Sequence, residues 1–436
     1  MMTTSSVLLR GRSPGSLAPD PVLPARDVLL DESAVRGLLS GLRADGRAHV
    51  SDCTLARVNY QIGKSLRAVF RIVVDGQPHT VAARMFRAAR SADAYARACE
   101  RARVSSGLRP VLLAPEIESV FWLFPNDRKI DTLVPLLESP VPAFLDRSPD
   151  GSHPRLVAYA PEKSATLAYD DGRGRTVAYA KVTAGQQAER DYRMYDNLRA
   201  SLRDADPWLR LPCPLAYSGE HRTFWLEAIH GRRLSDTTGD DDLEDLRQFG
   251  SAVAAFHGLS APAASRFDRF SPAHLRSDAA LIGCVRPDVA NDIDRLARRL
   301  AATDPADHQT VCLHGDLHPK NAIVSGERLA LIDVEDVAIG PAAADIGSLL
   351  GSLLYLRASQ RLSHADFARQ ADAFLRGYAA VRSLPSPASV AWHTAAALLI
   401  ERAARAVTRI RPLGLTHFDA LLGEAEHVLD RGVALP

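Results

Sequence analysis

The string His314-Gly315-Asp316-Leu317-His318-Pro319-Lys320-Asn321, followed by Leu331-Ile332-Asp333-Val334-Glu335-Asp336, constrains this chain more than any other feature. It sets a carboxylate, an amide and a second carboxylate at spacings of five and twelve, with Asp333 seventeen positions after Asp316. Such groups suit phosphoryl transfer. One carboxylate orients a hydroxyl nucleophile and accepts its proton, while an amide oxygen and a carboxylate hold Mg2+ against nucleotide phosphates. Catalysis of that kind is mostly positioning and charge neutralisation. Oxygen ligands favour Mg2+ over Zn2+. The apolar run from Leu329 to Ile332 predicts a strand with Asp333 held rigidly at its end.

Composition closes off other classes. The 436 residues carry 53 basic and 52 acidic side chains, a net charge of +1, so the basic excess of a nucleic-acid binder is missing. That length predicts two to four domains or lobes. No apolar run reaches the length of a membrane span, and Met1 to Asp20 lacks a signal-peptide core, so a cytoplasmic protein with no membrane or nucleic-acid partner is expected. Five cysteines (Cys53, Cys99, Cys213, Cys284, Cys312) are widely spaced and odd in number, which predicts buried free thiols rather than disulfides or a zinc site.

Residues 1–27 are rich in Pro, Gly and Ser and predict a mobile lead-in. A helix is expected from Leu29 to Leu42, then a hairpin of Ser65–Val74 and Thr80–Phe86, a helix over Ala88–Ala102, and strand and loop from Val111 to Phe124. Phe124-Pro125-Asn126-Asp127-Arg128-Lys129 is unlike a generic linker and is expected to end a strand in a turn. A second hairpin joins Arg155–Ala160 to Ala165–Asp170 through Pro161-Glu162-Lys163-Ser164; Thr176–Val182 follows, then a helix over Ala188–Leu202. From about 240 the chain reads as mostly helical, with clear helical periods over Leu243–Leu259 and Ser389–Ile410, interrupted by Val311–Ile346. Tyr60-x-x-x-Lys64-Ser65 recurs as Tyr159-x-x-x-Lys163-Ser164, and Thr80–Arg84 answers to Thr176–Lys181. Either a duplication or two similar meanders accounts for this.

The His314–Asn321 string with its later Ile-Asp-x-x-Asp resembles the aminoglycoside phosphotransferase and choline kinase-like family, over roughly 151–436. The resemblance implies an α+β, two-lobed protein-kinase-like fold with a β-rich N-lobe and a helical C-lobe, here with an additional N-terminal α/β extension. It implies 151–229 as the N-lobe and 230–436 as the C-lobe; residues 28–150, which it does not cover, are expected to form a cap domain or, equally, a dimerisation or docking module. Asp316 is implied as catalytic base, Asn321 and Asp333 as Mg2+ ligands, and His314 and Asp345 as structural supports. In this fold a strand lysine, oriented by a glutamate on the next helix, grips the α- and β-phosphates. Lys181, 135 residues before Asp316, and Glu189 match that order. Lys181 is one of only five lysines in an arginine-rich chain. Arg84 holds a similar place in the first hairpin but is a poor replacement for a compact ammonium. Glu227 and Ile229, in a stretch resembling the family hinge, are implied to present backbone groups to adenine, and His257 to brace the core.

Two departures stand out. The Pro161–Ala165 turn has no glycine, so Ser164 or its backbone N–H is the candidate for the phosphates. Lys320 replaces a small residue, either as a solvated lysine or as a contact to phosphate or an acidic substrate. The acidic run Asp236–Asp245 suits a solvated helix start, or alternatively a polycationic substrate.

These features predict an ATP- and Mg2+-dependent phosphotransferase, with GTP as an alternative donor, acting on a hydroxyl of an aminoglycoside-like compound, a sugar or an amino alcohol. A peptide or protein Ser/Thr kinase is the second reading. It is disfavoured because only nine positions separate Asp336 from Asp345, too few for a peptide platform. The third is a non-catalytic nucleotide-binding protein. Oligomeric state has no signature in the sequence.

Overall fold

The computed structural model describes residues 17–43, 45–46, 48–103, 107–139, 142–145, 154–202, 208–236, 241–261, 264–303, 305, 309–326 and 328–433. The chain divides into two compact units. One runs to Arg190 and includes Leu215–Glu227 and Thr408–Pro412; the other takes in Asp191–Pro214, Ala228–Val407 and the chain from Leu413. Among the described residues no helix is long and apolar enough to cross a membrane.

The first unit is built on two sheets. Strands β1 (Val50–Gln61), β2 (Ser65–Val74), β3 (Gln77–Met85), β4 (Val111–Ala114) and β5 (Ser119–Leu123) form the first, in spatial order β1-β2-β3-β5-β4. Strands β6 (Arg155–Ala160), β7 (Ser164–Asp170) and β8 (Thr176–Thr183) lead the second. After the two-residue β9 (Leu209–Arg210), which pairs elsewhere, β10 (Pro214–Ser218) and β11 (Thr223–Glu227) complete it in the order β6-β7-β8-β11-β10. The path is the same in both: a three-strand meander, a helix (Ser91–Arg101 or Gln187–Ser201), then two strands of which the later joins the meander.

The likeness extends to side chains. The Tyr60 hydroxyl donates to Asp20 Oδ2 at 2.7 Å, and the same oxygen accepts from Gly63 N at 2.9 Å. The Tyr159 hydroxyl donates to Asp127 Oδ2 at 2.6 Å, and that oxygen accepts from Glu162 N at 2.9 Å. In each case the other carboxylate oxygen caps the two amides that lie two and three residues beyond the aspartate: Val22 and Leu23 for Asp20, Lys129 and Ile130 for Asp127. Seven residues past each tyrosine, Arg67 pairs with Arg84 across β2–β3, and Thr166 with Lys181 across β7–β8. The sequence repeat is therefore the trace of a repeated architecture.

The two sheets also share apolar packing. Val69 and Ala82 of the first, Ile130, Leu133, Leu136 and Leu145 of the connecting segment, and Tyr159, Leu167, Ala180 and Trp225 of the second form one buried cluster. Residues expected as separate cap and lobe thus lie in one unit. Of the expected mobile lead-in, 1–16 fall outside the described residues, but 17–27 correct that reading: Asp20, Leu23 and Arg26 are buried. The polar composition that suggested mobility serves as capping chemistry. The helix expected over Leu29–Leu42 is instead Arg26–Leu30 and Glu32–Leu39, because Asp31 leaves the helical conformation to cap Ser33 and Ala34. Strand β1 and the helix Leu133–Glu138 were not anticipated; β1 alternates poorly, with few buried positions.

The second unit is mainly helical. Helices Asp241–Phe256 and His364–Ala379 cross with their backbones touching: a Cβ on Gly377 would lie 1.8 Å from Arg247 O, so only glycine fits there. Strand Thr310–Leu313 pairs antiparallel with Ala338–Pro341, and Ala322–Ser325 with Arg328–Leu331. The helix expected over Ser389–Ile410 starts as Pro387–Ala397, capped by Ser386, but widens into a π-type turn at Leu398–Ala403 before resuming as Ala404–Thr408.

Candidate active site

The loop His314–Asn321 links strand Thr310–Leu313 to Ala322–Ser325, and its shape is set by buried hydrogen bonds. Asp345, 1 % exposed near the start of helix Ala343–Ala358, accepts from His314 N at 2.7 Å and Gly315 N at 3.0 Å. His257 Nε2 lies 3.1 Å from the same carboxylate, and its Nδ1 is 2.9 Å from the Tyr378 hydroxyl. Burial pushes the Asp345 pKa up, but His257 and the loop donors outweigh it and hold the carboxyl below its ordinary value. His314 Nε2 faces the Ile332 carbonyl at 2.9 Å, so that nitrogen carries the proton. Gly315 adopts φ 80°, and a Cβ there would lie 2.0 Å from Asp336 O.

Asp316 is part-exposed, its side chain at 28 %. Arg405 donates to its Oδ1 through both terminal nitrogens at 3.2 Å. Arg269 stands 4.0 Å from the same oxygen, and His318 Nε2 3.6 Å from Oδ2. Burial raises the Asp316 pKa, but Arg405, His318 and Arg269 together bring it below the usual carboxylate range. Arg269 is itself held by Glu401 at 2.9 Å, donates to the Gly315 carbonyl and reaches Asp336. Glu401 sits in the π-type turn and Arg405 one turn beyond it, so the irregularity in that helix supplies two of the groups around Asp316. The sequence carried no signal for Arg269, Glu401 or Arg405.

Asn321 is buried; its Nδ2 donates to the Asp316 carbonyl at 3.1 Å, leaving Oδ1 as a hard oxygen donor. Its carbonyl accepts from Ile332 N at 2.9 Å, which ties the loop to the strand leading to Asp333. Asp333 takes a left-handed conformation, φ 59° and ψ 48°. The turn after it is fixed by Tyr195, whose hydroxyl accepts from Val334 N and donates to Glu335, each at 3.3 Å. An amide oxygen and carboxylates fit Mg2+, which takes one or two protein ligands alongside substrate phosphates. Among the described residues, no group of three or more His, Cys, Asp or Glu is arranged to hold a metal.

The second unit thus gathers His314, Asp316, Asn321 and Asp345 on one loop and its brace. Lys181, Glu189, Ser164 and Glu227 belong to the first unit. Lys181 lies in mid-β8 between Thr166 of β7 and Phe224 of β11. Glu189 is in the first turn of Gln187–Ser201, Ser164 opens β7 opposite Thr183, and Glu227 ends β11. Ile229 packs in the second unit with Ile323 and Ala330, and Lys320 is exposed. Of the acidic run, Asp245 pairs with Arg232 at 2.6 Å; residues 237–240 and the side chains of 241–242 lie outside the described residues.

The turn between β6 and β7 holds an arrangement the sequence did not announce. Glu162, with φ 63° and a side chain 3 % exposed, is bonded by Arg67 at 3.0 Å, Arg128 at 2.6 Å and Arg84. Burial raises its pKa, and Arg128 and Arg84 override that, leaving it at about 2.

Kinase-type phosphotransferases use a strand lysine, a loop aspartate and an asparagine–aspartate pair. The sequence profile of the phosphotransferase enzyme family matches residues 166–421, more than half of the chain, and the protein belongs to that family. No curated protein matches the chain in sequence. Among solved structures, it is similar to an amicoumacin kinase in complex with AMP-PNP, Ca2+ and its ligand (14 % identity, 63 % of this chain and 88 % of that one, TM-score 0.43). It is also similar to a macrolide 2'-phosphotransferase from Brachybacterium faecium (18 %, 70 % and 99 %, 0.42). A choline/ethanolamine kinase family protein from Mesorhizobium loti is a third (14 %, 63 % and 88 %, 0.41).

Proposed function

We propose that the protein transfers the γ-phosphoryl group of ATP to a hydroxyl of a small molecule. The observation that carries this reading is Asp316: a carboxylate kept ionised by Arg405 and Arg269 and fixed on a loop braced by Asp345. Membership of the phosphotransferase family supports the reaction class.

In this reading Asp316 accepts a hydrogen bond from the acceptor hydroxyl, orients its lone pair and takes the proton late in transfer. Its lowered pKa makes it a weak base, which suits positioning better than full deprotonation of the alcohol. Asn321 Oδ1 and the Asp333 carboxylate would hold Mg2+, which supplies charge neutralisation on the phosphates. Lys181, oriented by Glu189, grips the α- and β-phosphates. Ser164 or its backbone N–H contacts the phosphates from the β6–β7 turn, and the backbone at Glu227 and Ile229 takes adenine. Only Val337–Ala342 separates the Val334–Asp336 turn from helix Ala343–Ala358, and most of it is strand. That favours a small acceptor over a peptide.

Incubation with γ-labelled ATP, Mg2+ and fractionated small-molecule and peptide extracts tests the reading. Label on a small molecule with the native protein, reduced about 10²–10⁴-fold by Asp316→Asn with MgATP binding retained, is expected. Label on peptide alone, or equal turnover by the variant, overturns it.

A further inference from the structure

The first sheet repeats the second strand for strand, and the repeat places Arg84 at the register of Lys181. On the reading above, Lys181 grips an anion, the nucleotide phosphates. Arg84 grips an anion too, but one that belongs to the chain: the carboxylate of Glu162, which Arg67 and Arg128 also hold. Glu162 lies at the tip of the β6–β7 turn, directly before Lys163 and the phosphate candidate Ser164.

The equivalent turns differ at one informative position. Three residues past Tyr60 stands Gly63 with φ 65°; three past Tyr159 stands Glu162 with φ 63°. Glycine adopts this conformation freely, whereas a glutamate is strained there. A glutamate persists because its surroundings hold it. Asp127 binds its amide and three guanidiniums bind its carboxylate, so both ends of the residue are anchored. The anchors come from β2, β3 and the segment after β5, all in the N-terminal copy or the link that follows it.

We propose that the N-terminal sheet is a second copy of the nucleotide-gripping lobe that binds no nucleotide, its anion position being filled by Glu162, and that this contact positions the β6–β7 turn for the ATP phosphates. Glu162 is a positioning residue acting through the backbone of its turn. The proposal rests on the assignment of that turn to the phosphates. It explains how a turn without glycine keeps one geometry.

The test is titration calorimetry of the full chain with Mg2+-AMP-PNP and, separately, with adenosine, which lacks phosphates. Glu162→Gln and Arg84→Met should each weaken AMP-PNP about tenfold, the scale of one well-placed hydrogen bond. Adenosine affinity should stay within about twofold, because the base site is untouched. Arg84→Lys should restore most of the loss. Should Glu162→Gln not fold, Arg67→Met, which removes the longest of the three contacts at 3.0 Å, should give a smaller, equally selective loss. Unchanged AMP-PNP affinity in folded variants overturns the proposal, as does a parallel loss of both ligands or a stoichiometry of two nucleotides per chain. A native protein that binds no AMP-PNP overturns the ATP reading itself and this proposal with it, a result distinct from any variant effect.

Discussion

Asp345→Asn tests the construction of the catalytic loop. The native carboxylate is buried and receives His314 N, Gly315 N and His257 Nε2 at 2.7, 3.0 and 3.1 Å. Asparagine keeps one acceptor oxygen but turns an N–H2 group toward either Gly315 N or the pair His314 N and His257 Nε2, which share one oxygen. At least one of the three bonds is lost outright, the others lose their charge assistance, and a buried amide or imidazole is left unsatisfied. At roughly 1.5–3 kcal/mol per bond to a charged group, the variant should be destabilised by about 3–5 kcal/mol. For a unit of this size that is a fall in Tm of about 10 °C. The loss should also depend on pH. The folded carboxyl is held below its unfolded value of about 3.9, so its contribution is complete above that pH and disappears as pH falls through the lowered folded value. Thermal unfolding of native and variant proteins followed by circular dichroism from neutral to acid pH should therefore show curves that converge on acidification. A gap that is small at neutral pH, or constant down to acid, refutes the reasoning.

Two further outcomes follow from the same geometry. Arg405→Ala removes the largest influence opposing burial at Asp316, so its pKa rises and the acid limb of kcat/KM moves to higher pH; an unmoved limb in a pH–rate profile would show that Arg405 does not tune this carboxylate. Burial pushes the Cys53 and Cys312 thiols up to about 12, whereas Cys99 and Cys284 are exposed. A disulfide-exchange reagent at neutral pH should label the exposed pair rapidly and reach Cys53 and Cys312 only on unfolding; rapid native-state labelling of either buried thiol contradicts their placement.

Much of the architecture was legible because it rests on local pattern. The hairpin Ser65–Val74 to Gln77–Met85 announces itself by alternation and a Gly turn, and helices Gln187–Ser201 and Asp241–Phe256 by their periods. The loop His314–Asn321 was legible as a string because its groups sit close in sequence. Arg269 and Arg405, which reach Asp316 from 47 and 89 positions away, and Glu401, which holds Arg269, were not, since they resemble every other arginine and glutamate in an arginine-rich chain. The π-type turn at Leu398–Ala403 leaves no mark in a helical period. Glu162 was hidden by the opposite effect: a charged residue in a polar turn looks solvated until the strands that supply its partners are in place.

The shared core of the first unit bears on how such a chain can be cut. Residues 166–421 carry the family likeness, yet Leu167, Ala180 and Trp225 pack against Val69, Ala82, Leu133 and Leu136. The strained turn at Glu162 likewise owes its shape to residues far upstream. An accessory domain acquired by fusion meets its host along a seam that can be unpicked. Here the two sheets share one buried cluster, so a cut before residue 151 strips Leu167, Ala180 and Trp225 of the apolar side chains that cover them.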